Sequence, residues 1–111
     1  MASSAVGAIV LVAFPFSDLS QAKLRPALAL ASSGRGDWIL CQITSVPFGD
    51  PRAILLTDAD LRSGSLRRQS YIRPGQLFTA NDSIIQREVA FVSDSKLREV
   101  RRALANVLRT R

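Results

Sequence analysis

The sequence predicts a mainly β fold of the α+β class: a small, strongly bent antiparallel barrel with one C-terminal helix. Three observations carry this expectation. Apolar, β-branched runs of strand length recur along the first ninety residues, separated by Gly, Pro and Ser/Asp clusters. Two of these runs flank the short turn cluster Ser32-Ser33-Gly34-Arg35-Gly36-Asp37, which makes them antiparallel neighbours. Only the C-terminal stretch changes to a helical period, with Leu97, Val100, Leu104, Val107 and Leu108 on one face. Many short strands followed by one packed helix fit a small barrel.

The elements follow in order. Residues 1–5 are small and polar and form a loose start. Ile9-Val10-Leu11-Val12-Ala13-Phe14 is a buried strand that Pro15 ends. A polar loop of about ten residues follows, longer than a tight hairpin and of the kind that often carries function. The second strand spans residues 25–32, with Leu28 and Leu30 on the face of Pro26 and Ala27, Ala29 and Ala31 on the face of Arg25. That alanine face leaves room for something bulky. The third strand, residues 38–45, puts Ile39, Cys41 and Ile43 on one face and Trp38, Leu40, Gln42 and Thr44 on the other. Residues 53–57 read as a fourth strand, and Asp58-Ala59-Asp60 as a turn. The basic segment 62–69 is expected to project. A second Arg-Pro pair, Arg73-Pro74, precedes a short strand at 76–79, and residues 80–92 are ambiguous but partly extended. Ser93 can cap a helix of residues 94–109, with Asp94 placed where the helix dipole favours a carboxylate.

Composition bounds the function. The 111 residues fit one domain, 1–111, and no apolar run reaches the roughly 18 residues of a membrane span. One cysteine, Cys41, leaves no internal disulfide framework and suits a cytoplasmic location. The chain has no histidine, so catalysis proceeds without imidazole and a zinc site is nearly excluded. Net charge is +6, and its placement is lopsided. Residues 1–61 carry four Lys/Arg against five acids, residues 62–111 eleven against four. Such asymmetry favours a polyanionic partner, nucleic acid or an acidic protein segment, with a basic surface kept for solubility as the alternative.

The candidate site is built on Lys23-Leu24-Arg25-Pro26. A residue before proline is held extended, and proline belongs at a strand's first position or on an edge. Arg25 is therefore expected at the mouth of a strand, able to grip a phosphate through its planar fork or to close a loop by pairing with Asp18. In an antiparallel pair, Arg25 at the start of one strand and Thr44 at the end of the next share one end of the hairpin. Arg25, Thr44, Ser45 and Arg73 then suit RNA cleavage, where the 2′-OH attacks its own phosphate. Arginines stabilise the phosphoryl charge and a hydroxyl positions an oxygen. Each has an alternative. Thr44 and Ser45 can cap a strand end, and Arg73 can tie down a loop through the C-terminal acids. Asp18, Asp50, Asp58 and Asp60 make only a weak metal signal. Trp38, Phe48 and Tyr71 can stack on unpaired bases or fill the core, and Cys41 reads as inert core.

The blocks Gly7-Ala8-Ile9-Val10-Leu11-Val12, Phe14-Pro15-Phe16-Ser17-Asp18, Lys23-Leu24-Arg25-Pro26-Ala27-Leu28, Cys41-Gln42-Ile43-Thr44-Ser45 and Arg73-Pro74-Gly75-Gln76-Leu77-Phe78 together resemble the MazF/PemK-like toxins of type II toxin–antitoxin modules. The resemblance spans nearly the whole chain. It implies an SH3-like barrel, a homodimer, and sequence-specific, metal-independent cleavage of single-stranded RNA (mRNA) to a 2′,3′-cyclic phosphate and a 5′-hydroxyl. No cofactor or metal is expected. Arg25 matches the family's catalytic arginine and Thr44 its catalytic hydroxyl residue, while Arg73 matches an RNA-contacting arginine of some members. Ser45, Lys23, Gln42 and Gln76 complete the expected substrate-binding set. The chain departs from the pattern in having Ala8 where an acid is common, Gly75 where some members have an aspartate, and no histidine. The implied partner is a cognate acidic antitoxin whose flexible tail suits the basic C-terminal half. Two alternatives use the same barrel: a toxin that poisons gyrase without cleaving RNA, and an inactive barrel that binds RNA or an acidic peptide.

Overall fold

The computed structural model describes residues 5–15 and 22–109, with Phe14, Pro15 and Ala22 described by backbone alone. The loop read at 16–21, with Asp18 as a partner for Arg25, lies outside the described residues.

Seven strands form one antiparallel sheet: β1 Ala8–Pro15, β2 Ala22–Gly34, β3 Asp37–Thr44, β4 Ile54–Leu56, β5 Leu61–Gly64, β6 Ser70–Asn81 and β7 Ile85–Val92. One α-helix among the described residues, α1 Asp94–Arg109, follows. The strand order is β4-β6-β3-β2-β1-β7-β5, so the long strands β1, β2, β3 and β6 make the centre and the two shortest strands the edges. The mainly β bent sheet with a C-terminal helix is as the sequence predicts.

The period-two alternation read in β2 and β3 separates two clusters. One face carries Ile9, Leu28, Cys41, Ile43, Leu56, Ile72, Ala90 and Val92, and α1 covers it with Val100, Leu97 and Leu104. Val100 is fully buried, and burial of such a side chain stabilises by about 1.5–3 kcal/mol. The other face carries Ala8, Val10, Val12, Ala27, Ala29, Leu40 and Ala80. The room left by the alanines is filled by the chain itself, through Trp38, Phe78, Ile85 and Phe91.

Helix α1 starts as the cap signal requires. Ser93 Oγ accepts from the Lys96 backbone N–H at 3.1 Å, and Leu97 N–H donates to Ser93 O at 3.0 Å. Lys96 then fixes the first turn to the sheet. Its buried ammonium donates to Leu55 O (3.1 Å) and Glu99 Oε1 (2.8 Å), and lies 3.6 Å from Asp60 Oδ1.

Several boundaries move from their expected places. Strand β2 begins at Ala22, so Arg25 is not its first residue but pairs with Val12 of β1. Pro26 still sits where an N–H is dispensable, because pairing with β3 begins only at Ala27–Gln42. The second Arg-Pro pair does not separate two strands. It forms a bulge inside β6, where residues 73–76 intervene between the Ile72–Ile43 and Leu77–Cys41 pairs. The segment 61–69 does not simply project. Its start pairs with β7 as β5, and Leu66 packs against the core while its N–H donates to Asp58 Oδ1 at 2.8 Å. No described helix is long and apolar enough to cross a membrane.

Candidate functional site

A cavity of about 560 Å³ opens at the end of the sheet where β2 begins and β3 ends. Its floor is apolar, from Ile9 and Leu11 of β1, Pro26 of β2, Ile43 of β3 and Val89 of β7. Arg25, Thr44 and Ser45 also line it, with Ser65, Arg67, Arg68 and Ser70 from the β5–β6 segment and Arg87 from β7. Four arginines thus meet around one concavity, and no carboxylate is among its described lining residues. Clustered like charges are tolerated only where water or an anion screens them. Such a concavity is suited to phosphate.

The expected coincidence of Arg25 and Thr44 follows from register. The last β2–β3 rung is Ala27–Gln42, and Arg25 and Thr44 each lie two residues beyond it on adjacent strands. The Thr44 hydroxyl also does the local work that the alternative reading assigned to it. It donates to Val46 O at 3.1 Å and accepts from Val46 N–H at 3.2 Å, closing a tight turn at the strand end. Ser45 is exposed beside it.

Arg73 and Gln42 are not among the cavity-lining residues; they form a neighbouring cluster. Arg73 Nε donates to Asp50 Oδ2 at 2.9 Å and Nη1 donates to Gln42 Oε1 at 2.8 Å, while its guanidinium carbon stands 5.2 Å from the centre of the Phe48 ring. The arginine does tie down a loop, as its alternative reading held, but through Asp50 rather than through C-terminal acids. The Arg73 guanidinium and then the Arg52 backbone N–H hold the Asp50 carboxyl below its usual range. Behind the bulge, Cys41 Sγ donates to Arg73 O at 3.0 Å, and burial pushes its thiol up to about 12. It is an inert core thiol. Lys23 is exposed on β2 opposite Phe14, and Gln76 is exposed in the β6 bulge.

Three of the four acids read as a weak metal signal are otherwise engaged, and Asp18 lies outside the described residues. Asp58 accepts from Leu66 N–H, Asp60 Oδ2 from Thr57 N–H at 2.9 Å, and Asp50 from Arg73. No group of three His, Cys, Asp or Glu residues able to hold an ion occurs among the described residues.

Residues 5–108 match the family model described as PemK-like, MazF-like toxin of type II toxin-antitoxin system. The chain belongs to this family. Solved structures share its fold at low identity. One is an endoribonuclease in complex with its cognate antitoxin from Mycobacterial species, 14% identical, with a TM-score of 0.72 over 97% of this chain and 95% of that one. A MazE-MazF structure from Deinococcus radiodurans is 24% identical, with a TM-score of 0.73 and 93% of each chain covered. The Mycobacterium tuberculosis toxin MazF-mt6 is 19% identical, with a TM-score of 0.70 over 91% of this chain and 95% of that one. No curated protein matches the chain significantly.

In this PemK/MazF-like chain, sequence reasoning missed three of the four cavity arginines, Arg67, Arg68 and Arg87. The signal for the first two was present: Leu66 is an apolar residue inside a basic turn, and a lone leucine there implies that the segment folds back. Arg87 had no comparable signal, because its strand was not delimited.

Proposed function

We propose that this toxin is a sequence-specific endoribonuclease (mRNA interferase) that cleaves single-stranded RNA. The observation that carries the reading is the cavity lined by Arg25, Arg67, Arg68 and Arg87 together with Thr44 and Ser45, with no carboxylate among its described lining residues. Family membership supports it.

In this reading the scissile phosphate enters the cavity mouth. The ribose 2′-OH attacks phosphorus, the P–O5′ bond breaks, and the products carry a 2′,3′-cyclic phosphate and a 5′-hydroxyl. Arg25 stabilises the charge that develops on the phosphoryl oxygens. Preorganised donors of this kind are typically worth about 10²–10³ in rate. Thr44 holds a phosphoryl oxygen or orients the 2′-OH, while Arg67, Arg68 and Arg87 hold flanking phosphates in place. No divalent ion or cofactor enters the scheme. Lys23, Ser45, Arg73, Gln42 and Gln76 contact the RNA on either side. A homodimer bound by an acidic antitoxin belongs to the same reading. It is supported by the antitoxin complexes among the structural neighbours and by the basic C-terminal half.

Purified protein incubated with a mixed RNA pool tests this directly. Wild type cuts at a defined sequence, Arg25→Ala loses about 10²–10³ in rate, and both stay folded by circular dichroism. Wild type that cuts no RNA, or an Arg25→Ala variant that cuts as fast, overturns the reading.

A further inference from the structure

The loop joining β3 to β4 displays an aromatic ring at a backbone angle that bulky residues avoid. Phe48 has φ of 56° and is 66% exposed. Left-handed backbone at a bulky residue is strained and persists only where the surroundings over-determine it. Here Asp50 does so. Its N–H donates to Pro47 O (2.9 Å), its O accepts from Ala53 N–H (3.2 Å), and its carboxylate accepts from Arg52 N–H (2.8 Å) and Arg73 Nε (2.9 Å). Arg73 lies against the ring, and the ring remains largely exposed.

Two polar groups of this cluster, Arg73 and Gln42, present donors, while the Asp50 carboxylate accepts from Arg73 and the Arg52 N–H. Arg73 can only donate. Gln42 Oε1 is engaged by Arg73 Nη1, and a guanidinium requires the amide oxygen there, so the Gln42 NH₂ is left to offer donors. Asp50 balances the charge of Arg73, with both side chains largely buried. The surface therefore offers stacking area and directed N–H groups rather than a bare positive charge, which suits a base better than an acidic peptide. Gln42 is two residues from Thr44 on β3, about 7 Å along the strand. A base held here adjoins the proposed cleavage point.

We propose that Phe48, Gln42 and Arg73 form a nucleobase subsite that stacks one unpaired base and selects a carbonyl-bearing edge, guanine or uracil, over adenine. The proposal rests on the RNA-cleaving reading above and adds to it the class of base that is read. Stacking needs only the ring face, whereas the donors of Arg73 and Gln42 meet the O6 and N7 acceptors of guanine or a uracil carbonyl and repel the adenine amino group.

The test uses the full chain and 2′-O-methyl hexanucleotides, which lack the attacking hydroxyl, with affinity read by fluorescence anisotropy. Wild type binds oligonucleotides containing one guanine or uracil about 10-fold tighter than all-adenine. Phe48→Ala weakens binding about 5- to 150-fold and flattens the ranking, and Phe48→Trp keeps both. Gln42→Glu, which presents an acceptor instead of a donor, reverses the preference toward adenine. Wild-type affinity in Phe48→Ala, an unchanged ranking in Gln42→Glu, or an acidic peptide that binds through Phe48 while no oligonucleotide does, overturns the subsite. If wild type ranks the bases but cuts no RNA, the subsite stands and the nuclease reading falls. If it cuts RNA while Phe48→Ala alters neither affinity nor ranking, the subsite alone falls.

Discussion

Replacing Thr44 by valine separates a structural hydroxyl from a catalytic one, because the two roles differ in size. In the fold, the hydroxyl makes two hydrogen bonds to the backbone of Val46, at 3.1 and 3.2 Å, at an exposed strand end. Such bonds are worth about 0.5–1.5 kcal/mol each, less where water can replace them. Valine keeps the shape and the β-branch, so the expected loss is about 1 kcal/mol in total. For a domain of this size that lowers Tm by about 4–8 °C. From a stability of about 5–15 kcal/mol, nearly every molecule stays folded. A hydroxyl acting on the phosphoryl group instead costs about 10²–10³ in rate when removed. The assay pairs urea denaturation with initial rates on an oligoribonucleotide carrying one cleavage site. Thr44→Val is expected to lose about 1 kcal/mol of stability and at least about 100-fold in rate, while Thr44→Ser keeps both. A Thr44→Val protein that is slightly less stable but cuts at the wild-type rate refutes the catalytic role and leaves only the turn.

Three further outcomes follow from the same structure. Gly64 has φ of 80°, and an added Cβ meets Val89 O and lies 2.6 Å from Ala90 Cα on β7. Gly64→Ala is therefore expected to lose about 2–5 kcal/mol in urea denaturation, from left-handed backbone plus overpacking. Cys41 has its thiol pKa raised to about 12 by burial. The unfolded chain releases that proton first, so stability falls by up to about 1.4 kcal/mol per pH unit between about pH 9 and 12, and iodoacetamide leaves the folded protein unlabelled at pH 8. Removing Arg67 or Arg87 is expected to weaken binding of single-stranded RNA at every sequence and to reduce the salt slope by about 0.7 each. An unchanged slope removes that arginine from the phosphate path.

Much of this was legible in the sequence where local chemistry decides. The period of Ala27 to Leu30 and of Ile39 to Thr44 assigned both faces correctly, and Ser93 with the Leu97–Val100–Leu104 spacing placed the helix, although Leu108, read on the same face, is exposed. The placing of Arg25 and Thr44 at one end of the sheet followed from one hairpin and its turn. What was not legible depends on contacts distant in sequence. The bulge at Arg73 exists because Cys41 and Ile43 pair on either side of it, thirty residues away in the chain. Arg73 carries no mark that its partner is Asp50. The folding back of residues 65–70 depends on a cavity wall that β1, β3 and β7 build together, and a basic, turn-rich string reads as exposed until that wall is known.

The chemistry of the cut ends decides whether the ribose 2′-OH is the nucleophile. A single-site oligoribonucleotide is digested in excess EDTA and its products are weighed by mass spectrometry, beside a copy with one 2′-deoxy sugar 5′ of the cleaved bond. The expected result is full-rate cleavage, a 2′,3′-cyclic phosphate on the upstream fragment, a 5′-hydroxyl on the downstream one, and no cleavage of the deoxy copy. Abolition by EDTA, a 5′-phosphate product, or cleavage of the deoxy copy would contradict it.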